Sequence, residues 1–329
     1  MGTPSARLEL NNAVAQYTTQ LAELETRAGQ VDNAQLFADL ERSTAVLLDA
    51  CMVFEKTADA SELREARAAF HQETAPWFVQ SAGMAHTRTW PRGYQGDYRV
   101  LEWIYEGLPQ SESAFGGLLD SFLLSRKMAI AARGRKTQLC DMLLRELRSR
   151  DTAMRILSIA CGSCRDIFDV AGEIQRTKSH VTCVDHDPEA LAYARRLLLA
   201  SGIPFDQITF DQMNALRLVS LREALRRFGE QDIVYSVGFL DYLDDDRVGR
   251  LLSTWYQLVR PGGSLIVAMK DVTRFEPYTY RWLIDWTGFR GRREEEMAGL
   301  LDAAGIPAEL RTAVRDPSGV VVLWHVTRR

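Results

Sequence analysis

The chain changes its hydrophobic rhythm once, near residue 155. Before that point apolar residues recur three or four apart, the spacing of helices that bury one face. Leu36, Phe37, Leu40, Leu47, Leu48, Cys51 and Met52 keep this period, and residues 5–85 read as helix. Asp59-Ala-Ser-Glu62 has capping-box spacing and marks a helix start. Pro76 should kink or end the helix that follows, because its ring clashes with the preceding turn. The segment 89–107, TWPRGYQGDYRVLEWIYEG, breaks the rhythm. Pro91, Gly93 and Gly96 demand an irregular first half, and the second half reads as a short amphipathic helix ending at Gly107. Residues 113–150 read as one long helix.

From 155 onward short apolar runs alternate with amphipathic helices. The runs are RILSIA, HVTCVD, QITF, DIVYSV, SLIVAM and GVVVLWHV. Continuous apolar strands separated by helices mean a mostly parallel sheet covered on both faces. The expected organisation is therefore a helical appendage, 1–112, followed by an α/β domain, 113–329. No internal repeat or low-complexity segment interrupts either part.

Composition narrows the partners. A net charge of −4 argues against nucleic acid, which needs a basic face. The one dense basic run, FRGRRE at 289–294, reads as a solvated helix start. No apolar run approaches the roughly 20 residues of a membrane helix. Five cysteines are scattered and odd in number, which is not a disulfide framework. Together with the lack of a secretory signal, they point to a cytoplasmic protein with a small-molecule substrate and no membrane partner; a homodimer is allowed.

The first α/β turn carries the candidate chemistry. In such sheets ligands sit at the C-terminal strand ends. The first strand stops at Ala160, and Cys161-Gly162-Ser163 uses only small residues, so backbone can approach a ligand closely. Asp185 ends the second strand, 23 positions after Gly162, where an acid would hold ribose hydroxyls. The turn lacks the glycines of a dinucleotide site, and Asp166 would face a pyrophosphate unfavourably. No Gly-Lys-Ser/Thr follows, which excludes a P-loop. A cationic or neutral nucleoside fits. Cys161 and Cys164 lack two further ligands at zinc spacing, so no metal is expected, and they read as small residues the turn permits, a redox pair being the alternative.

These segments resemble class I S-adenosylmethionine (SAM) methyltransferases over roughly 155–270. ILSIACGSCRDI, VTCVDHDPEALAYAR, ITFDQMNALRL, QDIVYSVGFLDYLDDD and LVRPGGSLIVAMK are similar to that family's five ordered motifs. The resemblance implies a Rossmann-like sheet of seven strands, mostly parallel, with an N-terminal helical lid. It places Ala160, Gly162 and Ser163 at the SAM turn, Asp185 on the ribose and His186 beside the adenine. Asn214 stands where an Asp usually meets the adenine amino group, next to Ala215, and Ser236 follows the fourth strand. Cys and Ser replace most glycines of the family's turn. A narrower resemblance spans nearly the whole chain. WPRGYQGDYRVLEWIY, SVGFLDYL and YRWLIDWTGFR are similar to bacterial 3-hydroxy fatty-acid methyl ester synthases, and the general build is similar to azetidine-2-carboxylic acid synthases.

SAM's amino-acid tail needs its own partners. Arg92 is a candidate for the carboxylate, with Tyr94 beside it, and Asp97 a candidate acceptor; a mutual Arg92–Asp97 salt bridge is the alternative. Trp90, Tyr94 and Tyr98 could cover the sulfonium through cation–π attraction, or simply pack. Asp241 and Tyr242 follow the fourth strand, and read as catalytic groups or, for Asp241, as a helix cap. Trp282 and Trp286, four apart, suit either a substrate-pocket wall or core. Three functions remain: methyl transfer in specialised metabolism to a small, partly apolar molecule; cyclisation of SAM to azetidine-2-carboxylate and methylthioadenosine; and SAM binding without catalysis.

Overall fold

The structure, a computed structural model, describes residues 4–329. In chain order the first helices are α1 Pro4–Arg27, α2 Asn33–Glu55, α3 Ala60–Phe78, α4 Ala82–Thr89, α5 Tyr98–Glu106, α6 Ala114–Leu124 and α7 Lys127–Arg148. Then come β1 Arg155–Ile159, α8 Arg165–Asp169, α9 Ala171–Thr177, β2 His180–Asp185, α10 Pro188–Ala200 and β3 Ile208–Gln212. The chain continues through α11 Leu221–Phe228, β4 Gln231–Ser236, α12 Asp245–Leu258, β5 Val259–Lys270 and α13 Pro277–Trp282. It closes with α14 Glu294–Ala303, β6 Arg311–Arg315 and β7 Val321–Thr327.

Two compact units result: residues 1–129 with 276–288, and residues 130–275 with 289–329. The division thus falls at 129/130 rather than at the 112/113 boundary read from sequence. The reason lies in α6, which packs on α2, α3 and α4, and in α13, which packs on α2 and α3.

In the helical unit the sequence signals act as expected at α3. Asp59 accepts from the Ser61 and Glu62 backbone while the Glu62 side chain returns to the Asp59 N–H, and the helix stops two residues after Pro76. Asp97 caps α5, and Gly107, at φ 68°, ends it. The single helix expected over 113–150 is instead two. Phe122 O accepts both the Ser125 hydroxyl and Arg126 Nε, so side chains take a carbonyl that helix continuation would use.

Trp282 belongs to this unit's core, which corrects its placement on a substrate pocket. It is fully buried. Its ring meets Phe70 edge-on at 5.9 Å, its indole N–H donates to Glu55 at 2.9 Å, and the Arg67 guanidinium lies 5.8 Å from its centroid. Of the two readings that the Trp282/Trp286 spacing allowed, core holds for Trp282.

The α/β unit is a seven-stranded sheet in the order β3-β2-β1-β4-β5-β7-β6. Pairs from β3 to β5 are parallel, whereas β7 runs antiparallel to both β5 and β6. α10 packs on β2 and β3, and α12 on β4 and β5. Leu157, Ile159, Val184, Val234, Leu265 and Trp255 join one continuous core. The six apolar runs correspond to six of the strands. β6, RTAVR, was not read because it is a half-exposed edge with arginine at both ends. Among the described residues no helix is long and apolar enough to cross a membrane.

Replacing Trp282 by Ala should destabilise the helical unit by about 3–5 kcal/mol, the usual cost of emptying a large aromatic site. Urea unfolding followed by circular dichroism measures it, and unchanged stability would return Trp282 to a pocket wall.

Candidate functional site

The turn after β1 is built on unusual backbone. Ala160, Gly162 and Cys164 all have positive φ, at 53°, 55° and 55°. For the two residues with a Cβ this costs roughly 1–2 kcal/mol each. Hydrogen bonds hold the turn there. Cys161 N–H donates to Val184 O at 3.0 Å, Cys164 N–H to Cys161 O at 3.0 Å, and Gly162 N–H to Asp185 Oδ2 at 2.8 Å. The other oxygen, Asp185 Oδ1, accepts from Asp187 N–H at 3.0 Å and lies 3.3 Å from His186 Nδ1. Asp185 is buried, yet a carboxylate offers about four acceptor positions, so capacity remains for ribose hydroxyls. Ser163 is buried in the same turn.

Beyond β3, Asn214 is exposed and its side-chain oxygen accepts from Leu216 N–H at 2.9 Å, capping a short 3-10 turn that begins at the buried Ala215. Ser236 ends β4, and its buried hydroxyl has no hydrogen-bond partner. Asp185, Asn214 and Ser236 thus stand at or just beyond the C-terminal ends of β2, β3 and β4, in the unit that holds the β1 turn. An orphaned hydroxyl and unspent carboxylate acceptors are what a nucleoside at these strand ends would use.

Asp241 has a partner that sequence did not show. Its carboxylate forms a buried ion pair with Lys270 Nζ and also accepts the Lys270 backbone N–H at 2.9 Å. Burial lowers the Lys270 pKa, and the Asp241 charge opposes that shift. Asp241 is therefore neither the N-cap of α12, a role taken by Asp244, nor an uncommitted proton acceptor. Tyr242 packs against Phe289 at 5.1 Å, and Lys270 Nζ lies 4.2 Å from the Phe289 centroid. The lysine gave no signal in the sequence because it is one basic residue at the end of an apolar strand. The basic run at 289–294 is also not simply solvated. Arg292 is buried and bonds Asp245 at 2.9 Å and the Leu243 carbonyl at 2.6 Å.

In the helical unit, Asp97 pairs with His86 Nε2 at 2.7 Å while its other oxygen caps α5. Arg92 stacks 5.4 Å above the buried Tyr98 ring. Tyr98 is thus packing rather than an open lid surface. Trp90, at φ 44°, ends α4, and with Tyr94, Trp286 and His86 it lines a small, partly open recess.

The Cys161/Cys164 pair gains a third member. The thiols of Cys161, Cys164 and Cys183 contact one another, and the other two stabilise Cys183 as a thiolate, drawing its pKa down to about 5. All three are free of disulfides.

Residues 156–263, from β1 into β5, match the family model described as a methyltransferase domain. The matched segment, about a third of the chain, is similar to methyltransferase domains. The β1 turn, Asp185 and the Ser236 hydroxyl fit a nucleoside such as that of SAM. YnbC of Escherichia coli (strain K12), described as uncharacterized, is 25% identical over 169 residues, which are 50% of this chain and 28% of YnbC. The chain therefore spans far less than two thirds of that relative. A "possible exported protein" from Bordetella parapertussis shares the fold, at 18% identity and TM-score 0.57 over 100% of this chain and 99% of that one. An O-methyltransferase family protein from Burkholderia thailandensis is similar at 15% identity and TM-score 0.49, over 100% of this chain and 99% of that one.

Two outcomes test this geometry. Asp185→Ala should weaken SAM binding by tenfold or more, since a charge-assisted hydrogen bond contributes about 1.5–3 kcal/mol; calorimetry showing equal affinity would remove Asp185 from the site. Asp241→Asn should cost about 3–5 kcal/mol of stability by leaving Lys270 buried without its counter-ion. Thermal unfolding reads this, and lost turnover at unchanged stability would restore a catalytic role.

Proposed function

We propose that the protein transfers the methyl group of SAM to a small, partly apolar acceptor in specialised metabolism. The observation that carries this reading is the match of residues 156–263 to a methyltransferase domain, whose first turn is tied by Gly162 N–H to Asp185. Bound SAM supplies a methyl group on a sulfonium, which leaves as a neutral thioether. Charge disappears during the displacement, so positioning supplies most of the acceleration. In this chain Asp185 and Gly162 orient the ribose, Asn214 meets the adenine, and Tyr242 with Phe289 offers an aromatic surface beyond β4. The 89–107 segment of the helical unit carries Arg92, Trp90 and Tyr94.

Cyclisation of SAM would need a base for its amine. Of the two candidates for that task, Asp241 is engaged by Lys270, which leaves Tyr242. The distinguishing experiment incubates the protein with SAM alone and identifies the nucleoside by mass spectrometry. Methyl transfer predicts near inertness without an acceptor and S-adenosylhomocysteine with one. Steady enzyme-dependent methylthioadenosine would establish the cyclase instead. Hydrogen exchange over 89–107 should slow when SAM is added, and unchanged exchange there would return these aromatics to packing alone.

A further inference from the structure

The strand order assigns the two ends of SAM to different parts of the α/β unit. Asn214 follows β3 and Asp185 ends β2, so the adenosine belongs on that side. Since the order runs β3-β2-β1-β4, the amino-acid tail must extend over the β1 turn toward the end of β4. One side-chain pair spans that place. Tyr235, the penultimate residue of β4, donates its hydroxyl hydrogen bond to Asp166 Oδ2, in the first turn after Cys164. Tyr235 is buried and Asp166 is half-buried. The phenol and the Asp166 and Ile167 N–H groups take three of the carboxylate's about four acceptor positions, which leaves one. A carboxylate here would repel the tail's carboxylate and attract its ammonium.

We propose that the Asp166 carboxylate, steadied by the Tyr235 hydroxyl, is the acceptor for the α-ammonium of SAM. The assignment rests on the proposed function, in which SAM is the methyl donor, and adds a subsite to it. Tyr235 acts as a positioning residue, since it touches Asp166 and not the ligand.

The surroundings give the subsite a pH signature. Burial pushes the Asp166 pKa up to about 6, against the opposing hydrogen bond from Tyr235. The other titratable groups near it are Cys183 from β2, held as a thiolate whose charge also raises the Asp166 pKa, and the Cys140 thiol from α7, which donates to the Asp166 carbonyl at 3.7 Å. Below pH 6 the carboxyl is protonated, and capturing an ammonium must expel that proton. Affinity therefore falls as pH drops through 6 and is full above about pH 7. An α-ammonium, with an ordinary pKa near 7.7–8.0, stays charged across this window.

The test compares two ligands by calorimetry: SAM, and 5′-methylthioadenosine, which lacks the amino-acid tail. Asp166→Asn should weaken SAM about tenfold or more and leave methylthioadenosine within about twofold, as expected for one charge-assisted contact. Tyr235→Phe should weaken SAM by a smaller factor with methylthioadenosine again unchanged. Wild-type affinity for SAM should rise about tenfold from pH 5 to pH 7, and this rise should be absent in Asp166→Asn. Both proteins retain Asp185, His186 and Cys183, which also titrates near this window, so their difference isolates Asp166. Equal weakening of the two ligands would overturn the proposal and make Asp166 a brace of the turn. Unchanged SAM affinity in Asp166→Asn would overturn it as well while leaving SAM as cosubstrate. Failure of the wild type to bind SAM would overturn both.

Discussion

The Asp185 carboxylate joins two turns that would otherwise be independent. One oxygen holds Gly162 N–H in the turn after β1, and the other holds Asp187 N–H at the entry to α10. The backbone of the first turn carries left-handed conformations at Ala160 and Cys164, which L residues adopt at a cost. Something must oppose that cost, and the Asp185 and Val184 acceptors at the end of β2 do so. Asp187 then caps α10 through its own side chain, so the same short stretch sets the start of the next helix. The strand ends proposed to bind a nucleoside are thus held in shape by the protein's own hydrogen bonds, which would lower the ordering cost of binding.

Most of the α/β architecture was readable because its strands are buried on both faces and leave unbroken apolar runs. β4, QDIVYS, is buried at every position and was found without difficulty. β6 was not, because an edge strand needs only half its residues inside. In the helical region the spacing of Leu36, Leu40 and Leu47 announced α2, yet the break at Ser125 and Arg126 left no mark, since neither residue is a strong breaker. It follows from side chains folding back onto Phe122 O.

Site residues divide along the same line. Gly162 and Asp185 could be named because their spacing follows from one βαβ unit. Asp241 was found, but its partner Lys270 lies 29 positions away on another strand, and only the folded register of β5 beside the Asp241 turn brings them together. Asp166 and Tyr235, 69 positions apart, have the same difficulty. Cys183 sits opposite Ser158 in the β1–β2 ladder, so its closeness to Cys161 and Cys164 is a property of register and not of cysteine spacing. For Trp282 the four-residue interval to Trp286 was compatible with either environment. The neighbours Glu55 and Phe70, from remote helices, decide it.

The place of β7 bears on how the chain folds during synthesis. β7, residues Val321–Thr327, lies between β5 and β6. A ribosome emitting this chain delivers β5 about fifty residues before the strand that must pair with it, and β6 has no sheet partner at all until β7 follows. One whole edge of β5 therefore waits exposed while α13, α14 and β6 emerge. At roughly 5–20 residues per second that interval lasts several seconds. The strands β1 to β4 can associate as they appear, but the last part of the sheet assembles only after residue 327 has cleared the exit tunnel. The cell must shield an apolar strand edge for that time.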